Sequence, residues 1–173
     1  LTCVQGQTIR FERSAGDFSN STPHSIQSVT KLHIHLIIGR LIADGRVDLS
    51  KPVRHYLPEI GEGYGDAPVQ NLLDMHVDND FSEDYDDPLS DCYTEEIALG
   101  WRLPDRGLPE TTLVEFASSI SGYRPDTVMQ SIHYKSANTD VLTLICARLL
   151  GHPLMVEVQG IADAVGYEGA FHI

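Results

Sequence analysis

The sequence predicts an α+β protein that is mostly helical, with short strands confined to its N-terminus, and three observations carry that expectation. Residues 1 to 13 alternate loosely, with Val4, Ile9 and Phe11 separated by polar neighbours and Gly6-Gln7 placed where a turn fits. Two strongly apolar stretches, one leading from Ser28 to Asp44-Gly45 and one from Ala137 to Leu150, have the pattern of core helices, each closed by a glycine suited to a left-handed C-cap. A length of 173 residues, 42% of them hydrophobic, suffices for a core, so residues 1–173 are read as a single domain.

Between these landmarks the elements are shorter. Ser14 to Pro23 is a Ser, Asn, Gly and Pro-rich loop leading into the first strong helix. Pro52 to Leu57 reads as a short helix stopped by Pro58, and Gly61, Gly63 and Gly65 as a flexible surface loop. Those glycines lack the flanking strand and helix of a phosphate cradle, so they do not point to a nucleotide. Val69 to His76, a turn from Thr94 to Leu99, Pro109 to Ile120, and Pro153 to Val165 before Gly166 complete the helical reading.

Twelve basic against 25 acidic residues give a formal net charge of -13. Such a field repels nucleic acid and anionic membranes, so neither is expected as a partner. No apolar run approaches the roughly 18 residues that a membrane span requires. Cys3, Cys92 and Cys146 are odd in number and far apart, which argues against a disulfide framework and makes a reducing, cytoplasmic setting the default. The start at Leu1-Thr2-Cys3 carries neither an initiator Met nor a signal-peptide pattern, so a processed chain or part of a longer one is expected.

The acidic run from Asp78 to Asp91 invites a calcium reading. An EF-hand loop needs glycine at its sixth place and a carboxylate at its twelfth, and counting from Asp78 those places hold Glu83 and Leu89. A solvated loop with ligand-facing side chains is the better reading. His33 and His35, two apart on a helix, point in different directions and do not form a chelating pair, so no metal and no other cofactor is expected.

The chemistry concentrates at Ser28-Val29-Thr30-Lys31. On a helix, residues three apart share a face, which puts the serine hydroxyl within hydrogen-bonding reach of the lysine amine. A serine attacks a carbonyl only when a neighbouring base takes its proton, and a lysine can be that base when apolar surroundings disfavour its charged form. The apolar helix that follows, with Leu32, Ile34, Leu36, Ile37, Ile38, Leu41 and Ile42, predicts such surroundings, because a helix apolar all round is normally covered on every side. An N-cap serine followed by a solvated first-turn lysine is the bland alternative. A second motif, His133-Tyr134-Lys135-Ser136-Ala137-Asn138-Thr139-Asp140, stands just before the second strong helix and offers a phenol and a hydroxyl at a turn. A half-buried aromatic and a simple N-cap would account for it equally well.

Together, Ser28-x-x-Lys31 and Tyr134-Lys135-Ser136 resemble the serine beta-lactamase and penicillin-recognising hydrolase family, in its class C-like esterase and amidase branch. Leu72-Leu73-Asp74-Met75, Asp80 through Pro88, Ala98-Leu99-Gly100-Trp101 and Asn138-Thr139-Asp140-Val141-Leu142 are similar to the 6-aminohexanoate-dimer hydrolase (nylon-oligomer hydrolase) subgroup. The resemblance implies a beta-lactamase/transpeptidase-like fold, of which this chain is the mostly helical part. It implies Ser28 as acyl-forming nucleophile, Lys31 as base and Tyr134 as the phenol that relays a proton to the leaving group. Ser136 would line the site, Tyr85 would contact the substrate, and the backbone N–H of Ser28 would be one oxyanion donor.

The function so implied is hydrolysis of a small amide or ester through an acyl-enzyme. A beta-lactamase or DD-peptidase, and a truncated non-catalytic member acting as a binding protein, are the alternatives. His76-Val77-Asp78-Asn79 depart from the family's usual small residue and glycine after Leu-Leu-Asp-Met. The family's third motif, a Lys-Thr-Gly-like or His-x-Gly-like triad on an edge strand, has no counterpart before Ile173. The chain is therefore expected to be incomplete, with the second oxyanion donor on a missing C-terminal half or a second chain.

Overall fold

The computed structural model of the chain describes residues 1–19, 21–107, 109–125 and 132–167. The N-terminal alternation becomes a two-stranded antiparallel sheet of β1 (Thr2–Gln5) and β2 (Thr8–Glu12), turning at Gly6-Gln7. Thr2 lies opposite Glu12 and Cys3 opposite Phe11, and a shift of register between Cys3 and Val4 sets Val4 against Ile9. Both strands are solvent-exposed along their whole length, so the hairpin contributes nothing to the core.

The body is helical: α1 (Lys31–Ala43), α2 (Glu62–Gly65), α3 (Val69–Leu73), α4 (Asp91–Ala98), α5 (Leu113–Ser119), α6 (Ser136–Leu150) and α7 (Leu154–Ala164). Its hub is α6, which packs against α1, α3, α5 and α7. Ala137, Val141, Leu142, Ile145 and Cys146 line its buried side, and burying Val141, Leu142 and Ile145 contributes roughly 1.5–3 kcal/mol each. The helix ends as its sequence requires, at Gly151 with φ of 72° in the left-handed region.

Complete cover of α1 does not hold. Ile37, Ile38 and Leu41 are buried, whereas Leu32 and Leu36 are 58% and 53% exposed. The described neighbours, α6 and α7, reach only one face of α1. Ser28 itself precedes α1, in a 3₁₀ turn over Gln27–Thr30.

The glycine segment also differs from expectation. It is not a flexible surface loop: Gly63, Tyr64 and Gly65 are buried in α2. A Cβ at Gly61 would collide with the Ser118 backbone, and one at Gly63 with the side chain and carbonyl of Ile120. The glycines allow two backbones to touch, and the Gly63 N–H donates to the Ile120 carbonyl at 2.9 Å.

Other boundaries shift for local reasons. Pro52 to Leu57 holds only a 3₁₀ turn, Val53–His55. The helix from Val69 stops at Leu73, short of His76, and Met75 takes a left-handed φ of 55°. The turn near Thr94 is a full helix from Asp91, whereas the segment from Pro109 becomes helical only at Leu113, where Thr112 and Glu115 form a capping box.

The acidic segment uses its carboxylates on its own backbone and on arginine. Asp84 accepts the Asp86 N–H at 3.0 Å, Asp87 the Leu89 N–H at 2.9 Å and Asp91 the Ser82 N–H at 2.9 Å. Arg124 pairs with Asp78 and Asp80. Cys3, Cys92 and Cys146 are free thiols. Among the described residues no single helix is long and apolar enough to cross a membrane.

Candidate active site

Three elements converge on Ser28. Gln27, immediately before it, takes a left-handed φ of 45°, an uncommon conformation for a residue with a side chain. The chain then enters the 3₁₀ turn, which leaves Ser28 exposed and sets Lys31 at the start of α1. The Lys31 Nζ donates to Ser28 Oγ at 3.1 Å, so the three-residue spacing does bring amine and hydroxyl together.

From the far side of the sequence, Tyr134 donates its hydroxyl to the same Ser28 Oγ at 2.7 Å. The Lys31 Nζ lies 5.3 Å from the centre of the Tyr134 ring, close enough for a cation–π attraction. Partial burial acts to raise the phenol's pKa. Hydrogen bonds with Lys31 and Ser28, the Lys31 charge and a hydrogen bond with Ser136 outweigh it, and the net shift is downward from the ordinary tyrosine value. A phenol so placed gives up and regains a proton more readily than a free one.

Alternation along an extended stretch holds Tyr134 in place. The His133 N–H donates to the Met75 carbonyl at 2.7 Å. Lys135 points the other way and is buried, and its ammonium donates to Asn79 at the side-chain oxygen and at the carbonyl, 2.6 and 2.7 Å away. Burial lowers the Lys135 pKa, so its charge is retained against a desolvation cost that these two bonds offset. Asn79 in turn donates to the Gly63 carbonyl at 3.0 Å, which links the stretch carrying Tyr134 to α2.

Ser136 and Tyr85 reach the site through a residue the sequence did not single out. Glu83 accepts the Ser136 backbone N–H at 2.6 Å and the Ser136 hydroxyl at 2.8 Å. The Tyr85 hydroxyl donates to the same carboxylate at 2.6 Å, and that bond, followed by burial, raises the Tyr85 pKa. Tyr93 fixes the backbone there by donating to the Tyr85 carbonyl at 2.9 Å. Nothing in the acidic run from Asp78 to Asp91 distinguishes Glu83 from its neighbours; only the fold sets it beneath the first turn of α6.

Beneath this surface lie buried polar groups. Tyr64 donates to Asn138 at 3.0 Å, and burial raises its pKa. Burial, first, holds the carboxyls of Glu95 in α4 and Asp140 in α6 above the usual carboxylate range.

A serine hydroxyl within hydrogen-bonding distance of both an amine and a phenol is an arrangement suited to activating a nucleophile. The chain belongs to the Beta-lactamase family, whose model matches residues 1–160. Its sequence is similar to the 6-aminohexanoate-dimer hydrolase of Paenarthrobacter ureafaciens, 36% identical over 149 residues that cover 86% of this chain and 37% of that protein. In three dimensions it is similar to a Bacillus anthracis protein described as a 6-aminohexanoate-dimer hydrolase, with a TM-score of 0.72 and 23% identity over 88% of this chain and 40% of the other. A D-stereospecific amidohydrolase from a Streptomyces species shares the fold at a TM-score of 0.61 and 22% identity, over 88% and 45% of the two chains. The beta-lactamase/transpeptidase-like fold expected from the motifs is the fold observed. The chain spans less than half the length of each of these relatives.

Proposed function

We propose that Ser28, Lys31 and Tyr134 are the acylating groups of a serine hydrolase that cleaves a small amide or ester, as the name of its 6-aminohexanoate-dimer hydrolase relative suggests. One observation carries this reading: Ser28 Oγ lies between the Lys31 amine at 3.1 Å and the Tyr134 hydroxyl at 2.7 Å. Lys31, as the free amine, takes the Ser28 proton while Oγ bonds to the substrate carbonyl carbon. The carbonyl oxygen gains the charge, and the Ser28 backbone N–H is one donor for it.

As the tetrahedral intermediate collapses, the bond to the leaving nitrogen or oxygen breaks. Tyr134 hands that atom a proton and is reprotonated from Lys31. Water then attacks the acyl ester by the reverse relay and frees Ser28. Tyr85 and Ser136, locked to each other through Glu83, form one wall against the substrate.

The test is covalent labelling of the purified protein with a fluorophosphonate, mapping the modified residue by mass spectrometry. Modification at Ser28 is the expected result, and an unlabelled Ser28 with label elsewhere removes the assignment. Turnover of the 6-aminohexanoate dimer and p-nitrophenyl esters, set against nitrocefin, then separates an amidase or esterase from a beta-lactamase.

A further inference from the structure

Three donors meet on the Glu83 carboxylate. Its Oε2 accepts the Ser136 backbone N–H at 2.6 Å, while Oε1 accepts both the Ser136 hydroxyl at 2.8 Å and the Tyr85 hydroxyl at 2.6 Å. The backbone is pinned on either side of it. The Ser82 N–H donates to Asp91 at 2.9 Å and the Asp84 N–H to the Ser90 hydroxyl at 3.0 Å.

Part of this arrangement is structural. Lys135, the N-cap residue of α6, gives the helix no side-chain cap, and Glu83 supplies one at the Ser136 N–H. Capping does not account for the two hydroxyls on Oε1. An ionised carboxylate only accepts and a hydroxyl has one proton, so Tyr85 and Ser136 each commit theirs to Glu83. To any other group they offer lone pairs alone. Lys135 is extended, with φ of -144° and ψ of 122°, which puts Ser136 on the same side of the chain as Tyr134. Tyr85, joined to Ser136 through Glu83, is 64% exposed and open to a ligand.

We propose that Glu83 is a positioning residue that sets the site's preference for an amide over an ester. By taking both hydroxyl protons onto one oxygen, it makes the wall of Tyr85 and Ser136 a hydrogen-bond acceptor. This rests on the reading of Ser28, Lys31 and Tyr134 as the acylating groups. An amide brings an N–H to that wall, and the nitrogen lone pair that forms in the tetrahedral intermediate stays available for the Tyr134 proton. The leaving oxygen of an ester carries no hydrogen, so it meets only lone pairs and gains nothing there.

The preference is read by steady-state kinetics on one acyl group offered as its p-nitroanilide and as its p-nitrophenyl ester. Glu83→Gln keeps an acceptor for the Ser136 N–H, so the cap is retained. Its amide nitrogen donates to one of the two hydroxyls and turns that hydroxyl's own proton toward the substrate. The ratio of kcat/KM for the anilide to that for the ester is expected to fall roughly tenfold relative to wild type. An equal loss on both substrates, or an unchanged ratio, overturns the preference and leaves Glu83 as a helix cap. NMR titration of the Tyr85 phenol carbon, assigned with Tyr85→Phe, reads the hydroxyl bond without turnover. The Glu83 bond, first, and burial raise that phenol's pKa, so its midpoint is expected to drop in Glu83→Gln. An unmoved midpoint overturns the donation to Glu83. An unlabelled Ser28 with neither substrate turned over would sink the hydrolase reading and the preference with it, whereas the Tyr85 midpoint would still decide the hydroxyl polarity.

Discussion

Lys135 and Asn79 hold each other across the core, the lysine ammonium 2.6 Å from the asparagine side-chain oxygen, and this contact sets where Tyr134 stands. Lys135 is buried while its neighbour Tyr134 is 50% exposed, so the anchor and the phenol are adjacent residues on opposite sides of one extended stretch. In Lys135→Met the packing is kept, but two acceptor oxygens lose a charged donor. A loss of roughly 1.5–3 kcal/mol in urea unfolding is expected. Fluorophosphonate labelling of Ser28 should slow as well, because Tyr134 loses its register; a normal rate would separate the anchor from the site.

Tyr134→Phe keeps the ring and its packing and removes only the hydroxyl that reaches Ser28. The expected outcome is unchanged thermal stability and an acylation rate lower by roughly 100-fold or more, the size of general acid–base help. A packed aromatic without a chemical role predicts equal rates in stopped-flow acylation by one ester.

Ser28→Ala is expected to abolish labelling and hydrolysis with little effect on folding, since Ser28 is exposed. Lys31→Arg should fail almost as badly as Lys31→Ala. Arginine keeps its charge at any working pH and is unable to take a proton from serine. A near-normal acylation rate for the arginine variant would reduce Lys31 to a source of positive charge.

Two glycines should respond in opposite senses. Gly63 meets the side chain and carbonyl of Ile120, so Gly63→Ala is expected to cost roughly 1–3 kcal/mol as overpacking. Gly39 faces open space inside α1, and Gly39→Ala should add roughly 0.5–1 kcal/mol by restricting the unfolded chain and favouring helix. Chemical denaturation of both variants decides, and a Gly63→Ala midpoint at or above the wild type would reject the close-contact account.

Stability should also fall on the alkaline side through Glu95. Burial, first, and the bond to Asp140 raise its folded pKa to about 9, above the ordinary carboxylate value. The folded state therefore holds a proton that the unfolded chain has released. The stabilisation is complete below the unfolded value and declines as pH rises toward the folded one. Urea midpoints for wild type should drop as pH rises from the unfolded value of 4.5 toward about 9, and Glu95→Gln should flatten that slope.

The sequence by itself determined the local facts: the hairpin at Gly6-Gln7, the cap at Gly151, and the three-residue spacing that joins Ser28 to Lys31. These depend on periodicity, turn chemistry and spacing, all set within a few neighbouring residues. Pairing Tyr134 with Ser28 needed the family resemblance, because no local rule spans the segments between them.

Only the tertiary structure decided the rest. Gly61 and Gly63 looked mobile because a glycine's conformational freedom and its use in close contact leave the same letter in the sequence. The cover expected all round α1 reaches one face, since apolarity records a demand for burial and not the neighbours that meet it. Glu83 and Glu95 were ordinary carboxylates until the fold brought one beneath Ser136 and the other against Asp140. What a charged side chain does depends on the groups folded against it, and those come from distant parts of the chain.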